Sequence, residues 1–98
     1  MTIFAVLMPS PQPKLEEAIK NQFSNDHLSI TNTQWLISAK GTVVDITAKL
    51  GIYDPKNTDL PINGSAVVFA TSSYNGRAPT VIWDWIKSKL EANPNAAG

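Results

Sequence analysis

The run Thr2-Ile3-Phe4-Ala5-Val6-Leu7-Met8 limits what this chain can fold into more than any other stretch. Every position from Ile3 to Met8 is apolar. A strand with one wet face alternates polar and apolar residues, so an unbroken run calls for a strand inside a sheet, covered on both faces. Pro9 and Pro11 stop it, because proline has no N–H for a ladder. The rest of the chain must therefore supply neighbouring strands on either side and apolar cover above and below.

Those parts can be read in order. Pro13 suits the first turn of a helix, where its missing N–H costs little. Leu15, Ala18, Ile19 and Phe23 follow at helical spacing, with Glu16 and Glu17 early, where the helix dipole favours acids. Ser24-Asn25-Asp26 ends that helix. Leu28-Ser29-Ile30-Thr31 alternates as a half-exposed edge strand does, and Asn32-Thr33 is a tight-turn candidate. Gln34 to Ala39 reads as the returning strand, with Trp35, Ile37 and Ala39 on one face.

Gly41 breaks that strand, and Thr42 with Asp45 resembles a capping box with Asp in place of Glu. Val43, Ile46 and Leu50 then form the stripe of a short helix, and Gly51 is a natural left-handed terminator. Ile52 to Gly64 reads as a long loop. Ala66 to Thr71 is a further apolar strand, Ser72 to Ala78 a polar loop, and a last helix begins near Pro79. In that helix Val81, Ile82, Trp85, Ile86 and Leu90 make the core stripe, and Trp83 lies to its side.

Ninety-eight residues make one domain, here residues 1–92, followed by a small polar tail over residues 93–98. Eight basic and eight acidic residues balance, which argues against a broad nucleic-acid surface and leaves room only for a local basic spot. The absence of cysteine excludes a disulfide framework, a thiolate nucleophile and a Cys-based zinc site. A single histidine, His27, excludes a His-rich metal centre within one chain. No cofactor and no metal site is expected. The apolar start is too short to span a membrane and lacks the basic flank of a signal peptide, so the expected location is cytoplasmic.

The order is β-α-β-β-α-β with one helix more. That order predicts an α+β fold, a ferredoxin-like four-stranded antiparallel sheet with an additional C-terminal helix and with the first and third strands central. Two helices cover one sheet face; either the last helix or a second copy must cover the other. The order of elements, and the run from Gln34-Trp35-Leu36-Ile37 through the short helix to the Trp-bearing last helix, resembles the small SinR-like proteins. These are similar in fold to the VapD toxins and to the endoribonuclease-like family of CRISPR adaptation. The resemblance spans Thr2 to Leu90 and implies a nuclease activity. The aspartate that closes the first strand in nuclease relatives has no counterpart in Leu7-Met8-Pro9-Ser10.

Chemistry could sit at Ser72, Ser73, Tyr74, Asn75, Gly76 and Arg77, where a strand-loop-helix junction places backbone N–H groups, hydroxyls and a guanidinium around an anion. The same residues also make a plain connection. Trp83 is an interface candidate, since a partly exposed tryptophan is a common contact anchor. His27 reads as a surface histidine, although an adjacent Asp26 could tune a general base. Asp54, Asn57, Thr58, Asp59 and Asn63 lack the spacing of a calcium loop and read as a solvated connection. Asp45 caps a helix, and Asp84 lies on a helix surface.

Three functions follow, in order of preference. One is a small self-associating module, expected to be a homodimer, that binds a ligand or a protein partner. Another is a sensor of a small anionic ligand at residues 72–77. The alternative is a metal-dependent nuclease or phosphodiesterase acting on RNA or nucleotides, with carboxylates converging from two copies.

Overall fold

In the computed structural model, which describes residues 2–57, 59, 62–71, 76–77 and 80–91, with side chains of the last helix as far as Lys89, the apolar run becomes strand β1 (Thr2–Leu7). Helix α1 (Pro13–Gln22), strands β2 (His27–Ser29) and β3 (Gln34–Ala39), helix α2 (Val43–Leu50), strand β4 (Val67–Thr71) and helix α3 (Thr80–Glu91) follow. The fold is α+β. Its four strands form one antiparallel sheet in the order β2-β3-β1-β4, so β1 and β3 take the central positions and β2 and β4 the edges.

Register assigns every strand residue to a face. Phe4 stands opposite Ile37 and Ala70, and Val6 opposite Trp35 and Val68. These side chains share the first face with Met8 and Ala39. Leu15, Ile19 and Phe23 of the α1 stripe, and Ile46 and Leu50 of α2, pack on them as one cluster. Phe4, Val6, Leu15, Ile19, Ile37 and Leu50 are fully buried there. Each such side chain contributes roughly 1.5–3 kcal/mol relative to exposure, so this layer holds most of the fold's stability.

Local sequence sets the ends of these elements. Pro13 opens α1, and the Glu16 carboxylate accepts the Gln12 backbone N–H at 3.2 Å. On α2, the Thr42 hydroxyl accepts the Asp45 N–H (3.2 Å) and the Asp45 carboxylate accepts the Thr42 N–H (2.8 Å). This reciprocal cap is the one expected from the spacing. Two hydrogen bonds from Thr42, first from its backbone and then from its side chain, hold the Asp45 carboxyl below its usual 3.8, helped by Lys56 and Lys49. Gly51 closes α2 in the left-handed region at φ 71°.

The hairpin differs in detail from the expected strand over 28–31. Thr31 and Gln34 exchange backbone bonds around Asn32-Thr33 (3.2 and 3.4 Å), but the Ile30 N–H also reaches the Gln34 carbonyl at 2.8 Å. Two residues then oppose one, as in a bulge, and regular pairing of β2 ends at Ser29. At its other end β2 begins one residue early, at His27. The expectation for the first strand also needs correction, because its second face is covered over part of its length only. The expected tail over 93–98 lies outside the described residues.

Candidate functional site

The second face carries Ile3, Ala5 and Leu7 of β1, Gln34, Leu36 and Ser38 of β3, and Val67, Phe69 and Thr71 of β4. It is divided. At one end Ile3 and its register partner Ser38 are 4% and 2% exposed, although neither belongs to the cluster of the first face. Helix α3 is tied to this end: Lys89 donates to the Asn25 carbonyl (2.7 Å) and to the Asp26 carboxylate (2.9 Å). The Asp26 carbonyl in turn accepts the Ser38 N–H at 2.8 Å. Ile86 of α3 is buried, and Ile82, Trp83 and Trp85 are half-buried. Val81, expected in the core stripe, is instead 63% exposed, because the covered stripe of α3 runs through Ile82, Ile86 and Lys89, about 100° round the helix from it. The side chain of Leu90 lies outside the described residues.

At the other end the apolar surface is open. Leu7, Val67 and Phe69 are 44%, 57% and 52% exposed, and Leu7 and Val67 are register partners. A shallow groove of about 420 Å³ runs past the first two, lined by Leu7, Met8, Pro9, Ser65, Ala66 and Val67. Three large apolar side chains side by side at a sheet edge make a contact surface, whereas scattered ones would need no explanation.

One side chain shapes the rim of this groove. Continuing the β1–β4 register places Pro9 opposite Ser65, and proline cannot donate to it. Gln12 takes its place. Its amide nitrogen donates to the Ser65 carbonyl (2.6 Å) and its amide oxygen accepts the Ser65 N–H (2.6 Å). A glutamine side chain thus supplies the rung that the backbone lacks. The adjacent Gly64 makes room for it, since a Cβ there would sit 2.5 Å from Gln12 Oε1 and 3.1 Å from Leu15 Cβ. Nothing in the local pattern marked Gln12 except its position in the proline-rich turn from Pro9 to Pro13.

The other expected residues are distributed elsewhere. Ser72, Ser73, Tyr74 and Asn75 lie outside the described residues; Gly76 and Arg77 are exposed, with Gly76 at φ 146°. His27 is half-buried and not a free surface residue. Its Nδ1 lies 2.7 Å from the Phe23 carbonyl, which requires the proton on that nitrogen, and its ring tilts against Trp35 at 5.8 Å. It fastens the end of α1 to β2, because its register with Ile37 turns it to the first face. Asn63 is likewise structural. Its side-chain amide donates to the Leu50 carbonyl (2.9 Å) and its backbone N–H to Gly51 (2.7 Å), which satisfies the end of α2. The Asp54 carboxylate accepts the Lys56 N–H at 2.9 Å in a local turn, and Thr58 lies outside the described residues.

Among the described residues no group of three or more His, Asp or Glu side chains is placed to hold a metal ion. Among them, too, no helix is long and apolar enough to cross a membrane. Comparisons with models of protein families, with curated proteins and with solved structures find no match to this chain.

Proposed function

We propose that this protein is a small binding module that works as a homodimer, with the open end of the second sheet face, at the β4 edge, as its contact surface. The observation that carries the reading is the contrast within that face: Ile3 is buried at one end, while Leu7, Val67 and Phe69 stand open at the other. Burying these three side chains against a copy removes apolar area from water at about 25 cal/mol per Å². Closed two-fold pairing is the commonest way for a soluble chain to do so. The strand order β2-β3-β1-β4, antiparallel throughout, supports reading the fold as ferredoxin-like with α3 added.

Sedimentation equilibrium over a micromolar concentration series tests this. A mass of two chains is expected, with Phe69→Lys shifting the protein to a single-chain mass at unchanged helical circular dichroism. A single-chain mass for the native protein at high micromolar concentration rejects the reading.

A further inference from the structure

The two edges of the sheet are built differently. The β2 edge is three residues long, carries Asp26 at its entrance, and has Lys89 of α3 laid beside it. Short length and charge are the usual means of keeping an edge from pairing with another chain. The β4 edge has neither protection. Strand β4 is five residues long, it contains no proline, and no charged residue occurs between Asp59 and Arg77.

The hydrogen-bond phase of the sheet shows which groups this edge presents. The Met8 N–H donates to the Thr33 carbonyl at 2.9 Å. With the observed register, Val6 and Phe4 therefore exchange bonds with Trp35 and Ile37, since bonded pairs alternate along an antiparallel ladder. The intervening residues Ile3, Ala5 and Leu7 turn their backbone groups the other way, to Thr71, Phe69 and Val67. It follows that Val68 and Ala70 point their N–H and C=O groups outward. Among the described residues neither forms a backbone bond to a loop or cap.

Resting on the self-association reading, we propose that β4 pairs antiparallel with β4 of a second copy across a two-fold axis, joining two four-stranded sheets into one of eight strands. Parity restricts the pairing to registers in which outward-facing residues meet. A seam centred on Phe69 bonds Val68 to Ala70 of the copy and sets Phe69 against Phe69 of the copy. A seam centred on Val68 sets Phe69 against Val67 of the copy. In both, Phe69 meets an apolar side chain of the copy, Phe69 or Val67, about 4.5–5.5 Å apart at Cβ, while Leu7, one strand in on β1, stays beside the seam. The strand is its own complement: uncharged against uncharged, and apolar against apolar on the same face. A partner strand carrying charge would place it against Phe69, which is why the occupant is a copy.

Ala70→Pro isolates the seam. Ala70 is exposed, and its N–H plays no part in the β1–β4 ladder, so the substitution removes an outward donor and leaves the fold's own bonds in place. The expected result is at least a tenfold weaker dimer by sedimentation equilibrium, with unchanged circular dichroism. An unchanged dimer constant for Ala70→Pro, together with a Phe69→Lys variant that dissociates, would mean that the copies meet face to face: self-association would stand and edge pairing would fall. A native protein that is a single chain at high micromolar concentration removes both. Should Ala70→Pro not fold, amide hydrogen exchange of the native protein decides. Protection of Val68 and Ala70 that grows with protein concentration supports the seam. Exchange at the rate of open amides in a protein of dimeric mass overturns it.

Discussion

The two faces of this sheet start from the same strand and end in different states. On the first, Phe4 and Val6 meet two amphipathic helices and vanish from solvent. On the second, Ile3 is buried beside the anchored end of α3 while Leu7, four residues on, is open. An unbroken apolar run therefore does not report how completely both faces are covered within one chain. It reports a strand in the middle of a sheet, with apolar side chains on both faces.

Substitution can break this contrast directly. Phe4→Ala should cost about 3–5 kcal/mol in urea unfolding, through lost transfer energy and a cavity. Phe69→Ala should change the stability of the single chain by no more than about 0.5 kcal/mol, because its side chain is already half exposed. Equal costs would mean that the second face is as fully packed as the first. Next in size comes Gly64→Ala, which should cost about 1–3 kcal/mol by crowding Gln12 and Leu15. Combined with Gln12→Ala it should cost less than the sum of the two, since the clash is largely with the side chain that the second change removes.

Smaller effects sharpen the same comparison. Thr42→Ala should destabilise by about 1 kcal/mol through loss of the α2 cap, a modest loss for a helix held mainly by its packing on the first face. The Asp45 carboxyl titrates lower when folded than its usual 3.8. Its contribution is therefore complete above that value and fades as pH falls through the lowered one. Asp45→Asn should flatten the acid limb of the stability profile there, measured by urea midpoints from pH 5 down to pH 2. Lys89→Met should cost least, about 0.2–1 kcal/mol and less at high salt, because the pair with Asp26 is partly solvated. A larger loss would show that the cover of the second face depends on this one tie.

What the sequence made legible was local. The α1 and α2 stripes, the Thr42–Asp45 cap and the Gly51 terminator follow from spacing within a few residues, and the structure has each of them. The central places of β1 and β3 follow from the unbroken run and from Trp35. Gln12, Asn63 and Lys89 were not legible, because each acts on a partner 13 to 64 positions away. A polar side chain on such a partner leaves no periodic trace. His27 reads as a surface residue because the sequence pairs no nucleophile with it. Register with Ile37, a tertiary fact, turns it inward. The division of the second face was hidden for the same reason: nothing within α3 says how far along the sheet it will be tied.

The Gln12 rung sets a clock as well as a boundary. The rungs between β1 and β4 are main chain to main chain, so each opens only when the strands part, a slow collective event. The rung at Ser65 ends on a side chain, which can leave by rotation about its own torsions, a faster event than the parting of two strands. The sheet therefore has a fast end, at the rim of the open groove, joined to a slow body. The lip of the groove can loosen and re-form many times before the strands behind it have moved once.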